Sequence, residues 1–460
     1  MAQRIEHDVL GDVRVPADAY YGSETQRALD NFKISDRKPQ KELINAIALV
    51  KIAAAKANMK AGKLDKRKGN AIIRAANEVL NGKFDSQFKI DLFQAGAGTS
   101  THMNVNEVIA NRAIEMLHGK KGDYKIVHPN DDVNMSQSTN DVFHSAIHIA
   151  AYLMLEERLI PSLKKLEKAL DRKSSEFMKV VKVGRTHLQD AVPMTLGQEF
   201  STHALAVYVE SKRIGLARDE LRYLPIGGTA IGTGINTPKG YATSCILEIN
   251  RLTKRKFERT KNTFYEIQDQ SAEAFVSGAL RNVAIVVSKL ANDLRLLTSG
   301  PSTGFNDIAL PAEQPGSSIM PGKVNPSIPE MANMVCFEVI GNDLVVANAA
   351  LGGQLQLNVF MPIIAYKLIY SIEIMSNAID TLAAKCIDGI KANEKLLKSR
   401  IEHDMSIATA LTPYIGYAKA AEIARLSYKT GKTVKDICIE KKVFGRKTLD
   451  RLLDPKRMIL

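Results

Sequence analysis

Tryptophan is absent from the 460 residues, aromatic residues reach only 6%, and cysteine occurs four times. With no tryptophan and few aromatics among the basic clusters, stacking platforms for single-stranded nucleic acid have little support. Cys245, Cys336, Cys386 and Cys438 lie far apart, with no CxxC pair and no Cys/His cluster. That spacing speaks against structural zinc and for ordinary core thiols, and disulfides do not fit a reducing compartment. No run reaches the ~18 uninterrupted apolar residues of a membrane helix. The opening residues, Met1 to Asp8, lack the apolar stretch of a signal peptide. A soluble cytoplasmic protein without membrane contact is expected.

Hydrophobic residues make up 45% of the chain, enough for a large core, and the length suggests two to four domains of roughly 100–200 residues. The net charge of +13 would suit a nucleic-acid binder or a field that steers a small anion. Most basic residues alternate with Glu and Asp, as in Lys164-Lys165-Leu166-Glu167-Lys168, so solvated helix faces account for them. Apolar residues recur at steps of three and four over Ser271–Thr298, at Ala272, Phe275, Val276, Ala279, Leu280, Val283, Val286, Val287, Leu290, Leu294 and Leu297. That is the buried stripe of a long helix. Phe143–Phe177 reads likewise, with a break expected at Pro161. Phe200–Leu224, Ile328–Leu351 and Phe360–Lys385 complete five long helices. Strand-like alternation is confined to Lys125–His128 and Lys179–Val183. The Gly- and Pro-rich stretches, Ala95–Ser100, Gly184–Thr195, Pro225–Gly240 and Ser299–Pro326, fall between helices, where chemistry tends to sit.

Four polar segments stand out: Gly96–Asn104, His128–Asp141, Gly184–Asp190 and Gly316–Glu330. The first two are the kind that ordinarily make caps and turns. The last packs two glycines, two serines, a proline and Lys323 within eight residues, so several backbone N–H groups and a cation can face one point, as an oxyanion site needs. It lacks the spacing of a P-loop.

GSSIMPGKVNP at Gly316–Pro326 resembles the signature of the fumarase/aspartase superfamily, and GRTHLQDAVPMTLGQEF at Gly184–Phe200 and HPNDDVNMSQSTND at His128–Asp141 resemble two further blocks of it. GGTAIGTGINTP at Gly227–Pro238, GQLQLNVF at Gly353–Phe360, VPADAYYG at Val15–Gly22 and TALTPYIGYAKAAEIA at Thr409–Ala424 extend the likeness to nearly the whole chain. The resemblance implies an all-α, three-domain fold: an N-terminal domain over 1–137, a central long-helix bundle over 138–392 and a small C-terminal domain over 393–460. It implies a homotetramer whose active sites each draw on three subunits, a small dicarboxylate substrate, and no metal or organic cofactor. By the same carry-over Ser317 is the base, and Lys323 and Asn325 hold the carboxylate that becomes doubly charged. Thr99, Ser138, Thr139 and Asn140 grip the second carboxylate and the leaving group. Thr186 and His187 stand on the leaving-group side, Glu330 pairs with His187, and His128, Asn130 and Asp131 form a secondary carboxylate site near the entrance.

Two leaving groups remain. The residues at Gly98–Ser100, Ser138–Asp141, Asp18–Gly22 and Gly353–Val359 look more like aspartate ammonia-lyases. Those at Gly227–Ala230, Asn358–Phe360 and Thr409–Ala424 look more like class II fumarases, and His102, His144 and Met361 fit neither. Hydroxide leaves poorly without a proton, and a His187–Glu330 relay would supply one. The expectation is reversible hydration of fumarate to L-malate, with deamination of L-aspartate as the alternative. A catalytically silent scaffold or a basic nucleic-acid binder is the reading from a different class. Joint retention of Ser317, Lys323, Asn325, Thr186, His187 and Glu330 argues against it.

Overall fold

The computed structural model describes residues 2–459. The chain opens with an antiparallel hairpin, β1 (Gln3–Asp8) and β2 (Gly11–Pro16), in register from Gln3↔Pro16 to Asp8↔Gly11. Helices follow: α1 (Ser23–Asn31), α2 (Lys41–Lys60), α3 (Lys66–Leu80) and α4 (Thr99–Met116). Helix α2 is rich in alanine, the best helix former, and most of its length is buried. Helix α3 starts where the Asp65 carboxylate accepts from the Arg67 and Lys68 N–H groups, and so satisfies orphan donors of its first turn. Next come α5 (Thr139–Met154) and α6 (Ile160–Glu176), with a wider π turn over Leu155–Leu159 between them. The break expected at Pro161 thus lies one turn earlier. Pro161 sits in the first turn of α6, where its missing N–H costs little, and the wider turn makes room for its ring.

The stretch after α6 folds as a second hairpin, β3 (Val181–Thr186) and β4 (Gln189–Thr195). Lys179–Val183 therefore does enter a strand, whereas Lys125–His128 forms none. Further helices are α7 (Leu196–Glu220), α8 (Tyr241–Thr253), the short α9 (Thr263–Gln268), α10 (Ser271–Leu297), α11 (Ser327–Leu351) and α12 (Met361–Lys385). All five long helical stretches expected from periodicity are present, and the fold is all-α, with only two-stranded sheets among the described residues.

Helix α10 buries Val276, Leu280, Val283, Val287, Leu290 and Leu294 as its pattern requires, but leaves Phe275 55% exposed. Helix α11 keeps a stripe of Met334, Phe337, Leu344 and Leu351 in the open, each more than 60% exposed. By length and apolar composition both helices would also suffice to cross a bilayer.

The chain divides into two compact units. One comprises Met1–Ile160, Lys212–Asn282 and Phe337–Met375, and the other Pro161–Ser211, Val283–Cys336 and Ser376–Leu460. Within the second unit, Ile407, Leu411, Ile423, Val434, Ile437, Leu449 and Leu453 close a small core of their own near the C-terminus.

Candidate active site

In the first unit two helix starts carry the polar blocks. Thr99 is the first residue of α4, entered through a left-handed Gly98 at φ +83°. A methyl group on Gly98 would lie 2.4 Å from the Phe143 ring, so the close approach requires glycine there. Ser138 caps α5: its side chain accepts from the Asn140 N–H, and Asp141 reaches back to the Ser138 N–H, completing a capping box. The other Asp141 oxygen accepts from the Gly227 and Thr229 N–H groups at 2.9 and 3.1 Å. Asp141 is fully buried, and burial, only partly offset by these donors, pushes its carboxyl up to about 6. Asn140 donates to the Ala230 carbonyl at 2.7 Å.

Thr139 stands at the end of a buried polar chain. Lys51 Nζ donates to Asn134 Oδ1 and Gln137 Oε1, both at 2.9 Å, and lies 2.6 Å from His102 Nε2. His102 Nδ1 lies 2.7 Å from Thr139 Oγ1. Three acceptors around Nζ are a full set for an ammonium group. With Nε2 accepting, Nδ1 donates to Thr139 and leaves the threonine proton free for a ligand. Burial pushes the Lys51 ammonium well below its ordinary range; burial and then the Lys51 charge do the same to His102. Motif reading missed Lys51, although a single lysine inside the apolar run Ala46–Ala55 was the available signal.

Thr99, His128 and Asn130 line a cavity of about 760 Å³ together with Arg27, Glu24 and Glu107. Asp131 does not line it. His128 Nδ1 accepts from the Asn130 and Asp131 N–H groups and so shapes its own turn.

In the second unit, Thr186 closes strand β3, and His187 and Leu188 form the two-residue tip of the β3–β4 hairpin. Both have positive φ, +56° and +59°, as a type I′ turn demands. That conformation is costly for residues other than glycine, and strain of this kind gathers at functional sites. Behind the tip, Arg185 bonds Asp307 at 2.7 Å, joined by Lys182 at 3.2 Å and Arg400 at 2.6 Å. Burial alone would raise the Asp307 carboxyl, but the Arg185 hydrogen bond and the Lys182 and Arg185 charges hold it below its ordinary value. None of this network was legible as a motif, because its members are 122 and 93 residues apart.

The Gly316–Pro326 loop is pinched shut. The Gly316 N–H donates to the Lys323 carbonyl at 2.8 Å, and Asn325 Nδ2 donates to the Gly316 carbonyl at 2.7 Å. A methyl group on Gly316 would meet Lys323 O at 2.6 Å, so the pinch needs glycine. Ser317 Oγ accepts from the Ile319 and Met320 N–H groups at 3.2 and 3.0 Å. An oxygen faced by two backbone dipoles is placed to carry negative charge. Lys323, Asn325 and Glu330 line a cavity of about 510 Å³ with Arg295 and Asn306. One Asn325 N–H is committed to the loop, and the other is left for a ligand. Among the described residues, neither the His187 nor the Glu330 side chain makes a hydrogen bond or ion pair, so no relay joins them within one chain.

The chain has long helices with polar, capped starts and a pinched loop of glycine, serine and lysine, and its family match makes it a lyase. The family described as "Lyase" matches residues 11–341, and the domain described as "Fumarase C C-terminus" matches 407–460. The chain is similar to the aspartate ammonia-lyase of Helicobacter pylori, 49% identical over 99% of this chain and 98% of that one. It is 42% identical to the class II fumarate hydratase of the same organism, over 100% and 99% of the two chains. Its structure matches that of a recombinant class II fumarase from Schistosoma mansoni, with a TM-score of 0.96, 35% identity and 99% coverage of both chains. The chain belongs to the fumarase/aspartase family, and a small dicarboxylate is the class of substrate that family handles.

Proposed function

We propose that the chain deaminates L-aspartate to fumarate and ammonia, in a homotetramer whose sites combine loops from different subunits. The observation that carries the choice of leaving group is the contrast between relatives from one organism: the ammonia-lyase shares 49% with this chain, the hydratase 42%. An amino group leaves as neutral ammonia without a proton donor, so this reading does not depend on a His187–Glu330 relay. Hydration of fumarate to L-malate is the second reading. Class II hydratases also match the chain over nearly its full length, and the Gly227–Ala230 and Asn358–Phe360 stretches favour it.

In the elimination, Ser317 Oγ takes the proton from the carbon beside one carboxylate. That carboxylate becomes a doubly charged aci-carboxylate, held by Lys323, Asn325 and loop N–H groups; one such donor is typically worth ~10²–10³ in rate. The carbon–nitrogen electron pair leaves with nitrogen as neutral ammonia, and the double bond of fumarate forms. An ordinary serine is too weak a base, so Ser317 needs the cation and the two N–H dipoles to lower its proton affinity. Thr99, Ser138, Thr139 and Asn140 would grip the other carboxylate and the amino group, Thr186 and His187 the departing side, and His128, Asn130 and Asp131 a secondary anion site. The exposed apolar stripes of α10 and α11 are read as faces buried against other copies of the chain, and the location as the cytoplasm. The central and C-terminal domains over 138–392 and 393–460, after an N-terminal domain over 1–137, remain the proposed division. The closed core between Ile407 and Leu453 supports the last of them.

The deciding assay follows fumarate by its ultraviolet absorbance, with L-aspartate and L-malate supplied separately. Fumarate and ammonia from aspartate are expected. Turnover of malate with no turnover of aspartate replaces the first reading by the second.

A further inference from the structure

We propose that His144, His148, Glu273 and Glu266 form a buried structural site for a divalent transition metal of the zinc class. His144 and His148 stand one turn apart on α5 and share a face. Glu273 lies in the first turn of α10, and Glu266 lies in α9. His144 Nε2 is 3.2 Å from His148 Nε2, and Glu273 Oε1 is 3.3 Å from the first and 3.2 Å from the second. These three side chains are 0% exposed. Ligand atoms of His144, His148 and Glu266 also lie within 4.8 Å of one another.

Tetrahedral ligands about 2.0–2.1 Å from a zinc ion stand about 3.3–3.4 Å apart, so this triangle has the size of one face of such a site. Protons fill it poorly. Two ring protons can each lie along one edge, and the third edge then sets like against like. Both Glu273 oxygens are buried with no well-formed hydrogen bond, an expensive condition for a carboxylate. One cation at the centre answers all three edges.

The outer contact of His148 agrees. His148 Nδ1 is 2.8 Å from the Tyr223 carbonyl, so it carries a proton, and a metal on Nε2 would take the place of the proton that otherwise faces Glu273. His144 Nδ1 faces the Gln270 amide, 3.2 Å from Nε2, while Gln270 Oε1 has no partner. Gln270 Nε2 also donates to the Asp269 carbonyl at 3.0 Å. For His144 to present Nε2 to a metal, that amide must turn over, which sets its oxygen on Nδ1–H and gives up the bond to the Asp269 carbonyl. Two neutral imidazoles, two carboxylates and a dication sum to zero charge, as a buried cluster needs. Four protein ligands leave no open position, so the ion is a staple and not a catalyst. It would fasten α5, whose first turn carries Thr139 and Asn140, to α9 and α10. The inference does not depend on which leaving group the enzyme handles.

The test is metal analysis of the untagged full-length protein, followed by denaturation with a chelator and refolding with cobalt(II). About one zinc per chain is expected, and after refolding an intense visible band of tetrahedral cobalt with no thiolate charge transfer. Glu273→Gln and His144→Asn should each lower bound metal at least tenfold, while Ser317→Ala keeps it. If both variants fail to fold, X-ray absorption on the unsubstituted protein carries the test, with imidazole scattering and an all-N/O shell expected. Less than a tenth of an equivalent of zinc together with no cobalt band on refolding overturns the proposal. So does full retention of metal by both variants, or a sulfur shell.

Discussion

Ser317 and Thr139 show how far a single side chain depends on what stands behind it. If Ser317 is the base, Ser317→Ala should lower kcat by several orders of magnitude while a dicarboxylate inhibitor binds about as before, because Lys323 and Asn325 remain. A hydrogen-bonding role alone would instead weaken inhibitor binding by about 1.5–3 kcal/mol and spare kcat. Ser318→Ala is the control; equal damage there would move the base one residue along. Thr139 offers its proton outward only while Lys51 is an ammonium group. Once Lys51 loses its proton, the chain reverses and the Thr139 hydroxyl donates inward to His102. Lys51→Met should therefore raise KM roughly 10- to 150-fold, the loss of one hydrogen bond to a charged group, with a smaller effect on kcat. It should also remove the rise of KM expected as pH increases and Lys51 loses its proton. An unchanged KM across pH would show that Thr139 works without the buried lysine.

At the scale of an element, the β3–β4 hairpin is a strained tip on a charged anchor. Asp307 is buried and collects Lys182, Arg185 and Arg400. Asp307→Asn takes the buried carboxylate from Arg185, Arg400 and Lys182, leaving Lys182 with Glu199 alone, and breaking a buried pair costs up to about 3–5 kcal/mol. The urea midpoint should fall accordingly, and kcat should fall with it as the tip carrying Thr186 and His187 loses its aim. The folded Asp307 carboxyl lies below its ordinary value of 3.8. Its stabilisation is therefore present above that pH and disappears as pH falls through the folded value. A variant as stable as the parent at neutral pH would remove the anchor from the account.

For the whole molecule, the proposed tetramer makes the sharpest demand. Thr186→Ala and Lys323→Ala should each be inactive, yet co-refolding the two should restore part of the activity, because mixed assemblies contain some sites with neither defect. No recovery, or a fully active monomer by light scattering, would refute shared sites. Stability should also answer to Glu107, which accepts the Gly22, Glu24 and Thr25 N–H groups and is pushed up by burial to about 7. Its folded value exceeds the ordinary 4.5, so the folded chain keeps a proton that the unfolded chain has released. That contribution is complete below about 4.5 and is lost as pH rises through about 7. Glu107→Gln, which cannot ionise, should flatten the unfolding free energy between pH 5 and 7.

Local pattern alone determined the helices. The α10 stripe at steps of three and four, the polar caps before α5 and the glycines of Gly316–Pro326 are constraints written within a few residues of one another, and those read true. The family blocks were legible for the same reason: a pinched loop needs its glycine, serines and lysine adjacent in the chain. The strand expected at Lys125–His128 failed because four residues hold too little alternation to outweigh their surroundings, and Pro161 displaced its irregularity by a turn. Only the tertiary structure decided which side chains meet. Lys51 reaches His102 across 51 residues, Arg185 reaches Asp307 across 122, and His144 and His148 meet Glu273 from a separate helix. Such pairings leave no period and no spacing in the sequence, because burial and charge select partners by position in space, and each partner taken alone looks like an ordinary helix residue.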